Sequence, residues 1–364
     1  MKMSASALER ARKLHERTVD YCSQGNYHKA QSFCSSSLAI LKRTFGHRHP
    51  DIPIVTNTLA GCYEGKGDYA AAEKLYRQSI KNLKRVEGNP DTDVLRVELL
   101  RNLGSLKVSQ SQYPLAERYL RKALALAEKS LGRDHVETSA VLNALGVLCK
   151  YTGQFNEAEQ FYRRALSIIR RTLGPNHPDA ATIYHNLGGV EHSRGRYARG
   201  ERFARRSVRI REKALGPTHL QVAADIAALA AILDGQGKFK ESERLYHRAL
   251  AIFRRIYGPA HYEIAVNLNN LAAINQTRHR YKLAEQQYRR ALAIKRRLLG
   301  VNHPDVAVTL NNLALLCQAT GRLKTAGTLY RQAFAIFKKA LGSRHPNSVA
   351  CRENYTRLLP HVSP

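Results

Sequence analysis

A glycine recurs at positions 46, 88, 132, 174, 216, 258, 300 and 342, at spacings of 42, 44, 42, 42, 42, 42 and 42 residues. Three residues beyond it stands His49, His135, His177, His219, His261, His303 or His345, and Asp91 takes that place once. Gly174-Pro-Asn-His-Pro-Asp179 and Gly300-Val-Asn-His-Pro-Asp305 show how closely the units agree. A fixed period of this size means stacked supersecondary units that bury their apolar faces on one another.

Within a unit the pattern is helical. Val306, Leu310, Leu313, Ala314 and Cys317 fall three and four apart, and Gly321 interrupts them. Ala326, Tyr330, Ala333, Phe334 and Phe337 form a second run that ends at Leu341-Gly342. Each run is one buried stripe of a helix. His-Pro-Asp suits a helix start, with Pro in the first turn and Asp at the positive end of the dipole. The glycine after Leu341 suits the left-handed residue that closes a helix. Each unit is therefore two antiparallel helices. The boundary histidines are expected to cap the helix that follows or to bridge the loop. Equivalent residues of stacked repeats lie roughly 10 Å apart, too far to share a zinc ion, whose ligands sit about 2 Å away.

Small residues fix the phase. Leu59-Ala60, Leu145-Gly146, Leu187-Gly188, Leu229-Ala230, Leu271-Ala272 and Leu313-Ala314 share one register, and Leu103-Gly104 joins them once two inserted residues are allowed for. Turn glycines 25, 67, 153, 195, 237 and 321 precede Tyr27, Tyr69, Phe155, Tyr197, Phe239 and Leu323 by two residues. Ala30, Ala72, Ala116, Ala158, Ala284 and Ala326 follow. Small side chains let helices approach, and aromatics fill the space beside them.

This pattern resembles the tetratricopeptide repeat, and the 42-residue unit with Leu-Asn-Asn-Leu-Ala resembles the longer form in kinesin light chains. The expected fold is an all-α, right-handed superhelical solenoid over residues 1–345. Its repeats are expected near 5–45, 46–87, 88–131, 132–173, 174–215, 216–257, 258–299 and 300–341, with a capping helix and tail over 346–364. The third unit, with its insertion, Ser111 in place of the turn glycine and Pro114, is expected to be irregular.

The resemblance implies a protein-interaction scaffold whose first helices line a concave groove for peptide. In kinesin-light-chain-like repeats the asparagines of Leu-Asn-Asn-Leu touch the peptide. Here Asn57, Asn143, Asn269 and Asn311 share one such position, and Asn102, Asn186, Asn270 and Asn312 the next. Asn is a mediocre helix former, so its repeated use inside helices needs a reason. An amide can bond a peptide backbone or the neighbouring repeat, and both roles remain open. The sixth unit instead has Ala227 and Ala228, in an apolar patch with Ala224 and Ala231.

No enzyme and no cofactor are expected. His-Glu-x-x-His is absent. Gly61-Cys-Tyr-Glu-Gly65-Lys66-Gly67 is one residue short of a phosphate loop and lacks its Ser or Thr. Six scattered cysteines without a Cys-x-x-Cys pair suggest a reducing compartment. No signal peptide or membrane span is legible, so a cytoplasmic protein is expected.

The charge is large. The 364 residues carry 59 Lys and Arg against 29 Asp and Glu, a net of +30. In register this excess forms columns on the second helix. Arg77, Arg121, Arg163, Arg205, Arg289 and Arg331 occupy one column, with His247 in the sixth unit. Arg171, Arg255 and Arg297 occupy another, with Arg43, Arg85, Lys129, Lys213 and Lys339. Cations favour the last turn of a helix for local reasons. They also attract acidic protein segments or nucleic acid. The partner expected first is a protein or peptide with acidic segments; the alternative is a polyanion such as RNA or DNA, or an acidic surface, bound through these ridges.

Overall fold

The computed structural model describes residues 2–23, 25–83, 90–343 and 345–359. Gly88, Arg85 and the side chain of Asp91 lie outside the described residues. Helices account for the described fold, and no strand occurs among these residues. They come in pairs: α1 (Lys2–Ser23) and α2 (Tyr27–Phe45), α3 (Asp51–Gly65) and α4 (Tyr69–Leu83), α5 (Pro90–Ser109) and α6 (Tyr113–Ser130). The series continues with α7 (Val136–Tyr151) and α8 (Phe155–Thr172), then α9 (Pro178–Ser193) and α10 (Tyr197–Leu215). Next come α11 (Leu220–Gly235) and α12 (Phe239–Tyr257), α13 (Tyr262–Thr277) and α14 (Tyr281–Leu299), α15 (Pro304–Ala319) and α16 (Leu323–Leu341), and finally α17 (Pro346–Leu358).

Contacts divide the chain into two compact units, Met1–Gly216 and Pro217–Pro364. In each unit the helices of a pair pack most extensively, the second helix packs on the next pair, and successive first helices also touch. In the second unit α17 packs on α16 and α15, burying Ser348, Cys351 and Leu358.

The small-and-large code is literal. Ala30, Ala72, Ala116, Ala158, Ala284 and Ala326 are fully buried. Beside them lie the largest buried side chains, Tyr76, Tyr162, Tyr246, Tyr288 and Tyr330. Gly146 shows why the facing position stays small: a Cβ there would fall 2.5 Å from the Tyr162 ring. The irregular third unit turns on Ser111, which holds φ at 59°, and α6 carries Pro114 in its first turn.

The boundary histidines are helix caps. Nδ1 of His49, His135, His177, His219, His303 and His345 accepts the backbone N–H two residues on, at 3.1–3.2 Å. His261 does the same with Glu263 at 3.3 Å, its ring stacked on Tyr257. An Nδ1 that accepts carries no proton, so protonation breaks the cap. Burial lowers the His261 pKa, so the unfolded chain takes up the proton more readily. The cap's full contribution, about 1 kcal/mol, is present above the unfolded value near pH ~6.5. It is lost as pH falls through the lower folded value. His261→Asn keeps a cap without the titration. Urea unfolding at pH 8 and pH 5 should show a smaller loss for this variant than for the wild type, and equal losses would refute the assignment.

Candidate functional site

The first helices keep one stripe partly open. In unit 1 it runs through Thr182, His185, Asn186, Gly189 and His192 on α9, and through Ala140, Asn143, Val147 and Lys150 on α7. In unit 2 it runs through Val266, Asn270, Ala273 and Gln276 on α13, and through Val308, Asn311, Asn312, Leu315 and Gln318 on α15. A cavity of about 340 Å³ opens between α5 and α7, lined by Arg101, Ser105, Val108, Asn143, Val147 and Tyr151. Another of about 390 Å³ lies between α13 and α15, lined by Ala273, Gln276, Tyr281, Asn312 and Leu315.

Successive asparagines are bonded to each other. Asn102 Nδ2 donates to Asn57 Oδ1 at 3.0 Å, Asn186 to Asn143 at 2.7 Å and Asn312 to Asn269 at 3.4 Å. Asn354 reaches Asn311 at 3.5 Å, and Asn270 bonds Tyr246. Asn57 and Asn269 are buried. The ladder therefore ties the second repeat to the third, the fourth to the fifth, the seventh to the eighth, and the eighth to α17. One bond uses only part of an amide's capacity, so the half-exposed Asn143, Asn186, Asn270, Asn311 and Asn312 retain acceptors or donors.

The tyrosines explain a second column on the same helices. Tyr76 OH donates to Glu64 at 3.0 Å, Tyr288 to Gln276 at 3.3 Å and Tyr330 to Gln318 at 3.0 Å, always twelve residues back. In the fourth unit that position is Lys150, which cannot accept. Tyr162 OH is buried without a partner. Lys150 lies over Gly189, where a Cβ would fall 2.9 Å from Nζ. Burial pushes its pKa below the usual lysine value, and it has no bonded partner among the described residues. On α5, Arg101 faces Glu98 at 4.0 Å, and its Nε is buried without a hydrogen bond. Arg101 and Lys150 are cations of the first-helix face that the repeat pattern did not single out.

The second helices carry columns of charge. Arg77, Arg121, Arg163, Arg205 and Arg289 are exposed, yet each pairs with a glutamate four residues earlier: Glu73, Glu117, Glu159, Glu201 and Glu285. These glutamates recur with the repeat and were masked by the overall basic excess. Several also clasp the next repeat's turn. Glu73 takes Lys107 at 2.5 Å, Glu159 takes Arg194 and Arg199 at 2.6 Å, Glu243 takes Arg278 and Arg280, and Glu285 takes Arg322 at 2.8 Å. Arg77, Arg121, Arg163, Arg205 and Arg289 thus each have an acidic partner on their own helix. Arg171 pairs with Asp134 at 2.6 Å, and Arg255 donates to the Thr218 carbonyl at 3.3 Å. Arg297 and Arg331, with Arg296, Lys338 and Lys339, are exposed with no bonded partner among the described residues.

No three His, Cys, Asp or Glu side chains converge as a metal site among the described residues. Nor is any described helix long and apolar enough to cross a membrane.

A family model described as tetratricopeptide repeat matches residues 9–85, 95–171, 148–213, 179–243, 222–297, 264–339 and 305–359. BtubC (BKLC) from P. vanneervenii is 21% identical with TM-score 0.51, over 64% of this chain and 93% of that one. A Signal Transduction ATPase with Numerous Domains protein with a tetratricopeptide repeat sensor, from Pyrococcus horikoshii, is 13% identical with TM-score 0.61. That match covers 94% of this chain and 50% of the other. A Rap protein complexed with Competence and Sporulation Factor is 12% identical with TM-score 0.60, over 97% of this chain and 98% of that one. At these identities the likeness concerns the fold.

Proposed function

The chain belongs to the tetratricopeptide repeat family, and from that footing we propose that it is a non-enzymatic scaffold holding a partner peptide along its first-helix faces. Lys150 carries this reading. A half-buried ammonium without an anion is costly, and its presence also strands the Tyr162 hydroxyl. Such a cost is retained where a ligand supplies the missing partner. A peptide carboxylate lying between α7 and α9 would meet Lys150, which stands over Gly189. In the second unit, Val266, Ala273, Val308 and Leu315 offer small apolar contacts, while Asn270, Asn311 and Asn312 suit a peptide backbone.

Lys150→Gln separates stability from binding. Glutamine restores the acceptor for Tyr162 and removes a desolvated charge, so the folded state gains about 1 kcal/mol. Loss of the charged contact weakens binding of an acidic partner about tenfold or more. Partners are isolated with and without nuclease, then titrated against both proteins. A variant that is more stable and binds equally well would sink the groove reading.

A second reading rests on Arg296, Arg297, Lys338 and Lys339, which have no bonded partner among the described residues. They suit phosphates of a polyanion, bound with steep salt dependence. Reversing Arg297 and Lys339 to Glu should lower the salt slope for RNA or DNA by about 2. An unchanged slope removes this reading.

A further inference from the structure

Cys22 and Cys62 are 40 residues apart, and no motif spacing marks them as a pair. The fold of the first unit brings them together. Cys22 lies near the end of α1 and Cys62 near the end of α3, with their sulfurs 3.5 Å apart. Because α1 and α3 are the first helices of adjoining pairs, this contact joins one repeat to the next. Cys22 is partly exposed and Cys62 is buried.

We propose that Cys22 and Cys62 form a reversible disulfide that staples the first helix pair to the second. The sulfurs must close from 3.5 Å to about 2.05 Å, a distance within reach of side-chain rotation. The two thiols have different roles. Hydrogen bonding with Cys62 holds the Cys22 pKa below its ordinary value, while that same bond and then burial raise Cys62. The more acidic, accessible sulfur is the one an oxidant meets first.

With hydrogen peroxide as oxidant the atoms balance. The Cys22 thiolate attacks one peroxide oxygen, the O–O bond breaks, and the departing hydroxide takes a proton to become water. Cys22 is then a sulfenic acid. The Cys62 sulfur attacks it, the S–S bond forms and the S–O bond breaks. The leaving hydroxide takes the Cys62 proton as a second water. Two thiols lose two electrons, and the peroxide gains them. A thiol reductant reverses the change by exchange.

Cys34 is close by but committed elsewhere. It is buried, its sulfur donates to the Val55 carbonyl at 3.3 Å, and burial pushes its pKa to about 12. The bridge would restrain α1, whose packing is on α2 and α3. Local opening of a repeat array is easiest where a helix has few neighbours, and a cross-link there opposes it.

The test treats the folded full chain with a small excess of hydrogen peroxide. Free thiols counted after denaturation should fall from six to four. Peptide mapping should join the Cys22 and Cys62 peptides with loss of two hydrogens, and dithiothreitol should restore both thiols. Hydrogen exchange of α1 amides should slow on oxidation. Cys34→Ser should keep the bridge, while Cys22→Ser and Cys62→Ala should each abolish it with unchanged circular dichroism. Six retained thiols, a Cys22–Cys34 bridge or an intermolecular bridge would each overturn the proposal.

Discussion

Replacing Tyr162 with alanine is expected to destabilise the fourth helix pair by about 4 kcal/mol, the usual loss for a large buried ring and the cavity it leaves. The ring is fully buried against Gly146, with Leu142, Ile168 and Leu187 in the same cluster. A glycine cannot fill the space, and the backbones are already in close approach. Unfolding of one repeat need not be two-state with the whole array. Hydrogen exchange of α7 and α8 is therefore the measurement, and protection there should collapse before that of distant helices. A loss below about 1 kcal/mol would contradict this packing account. The hydroxyl supplies an internal control. Tyr162→Phe removes an unsatisfied polar atom and should be neutral or slightly stabilising. Tyr330→Phe removes a 3.0 Å bond to Gln318, strands its acceptor and should cost about 1 kcal/mol.

Glu159→Gln should cost about 2–3 kcal/mol, because charge-assisted bonds to three arginines weaken together. Its carboxylate meets Arg163 on its own helix and Arg194 and Arg199 of the next repeat, at 2.6–2.8 Å. Burial opposes ionisation here, but hydrogen bonds from Arg194 and Arg163 and the charges of Arg199 and Arg163 outweigh it and hold the pKa at about 2. The folded pKa is below the unfolded one. The stabilisation is therefore complete above the unfolded value near ~4.3 and is lost as pH falls toward the folded value. Urea unfolding of the wild type should weaken between pH 5 and pH 2, and Glu159→Gln should flatten part of that slope. Glu117→Gln is the contrast. Its pair with Arg121 is exposed on both sides, and such pairs contribute about 0.5 kcal/mol. Equal effects at Glu159 and Glu117 would refute the clasp between repeats.

Sequence periodicity carried the helix pairs, the turns, the buried alanines and the histidine caps, because each depends on residues close along the chain. What depends on stacking was harder to read. The glutamates at 73, 117, 159, 201, 243 and 285 share the repeat register, but a net of +30 drew attention to cations and away from the acids that neutralise them. Whether Arg194 or Arg322 is free depends on which glutamate the preceding repeat presents. The asparagine ladder was legible as a ladder. Its bonds from one repeat to the next required the spatial offset between helices. Lys150 stood out only once Tyr76, Tyr288 and Tyr330 had been matched to their acceptors, which made the fourth unit the exception. Cys22 and Cys62 met for the same reason: the stacking of α1 on α3 has no local signature.

The proposed binding face is tested most directly by photo-crosslinking. A benzophenone amino acid is placed singly at Val147 and Leu315, on the half-open first-helix stripe, and at Arg171 and Arg297, on the exposed second helices. Each protein is irradiated with its isolated, nuclease-treated partner. The groove account predicts crosslinks from Val147 or Leu315 that Lys150→Gln diminishes. Crosslinks confined to Arg171 and Arg297 would contradict it.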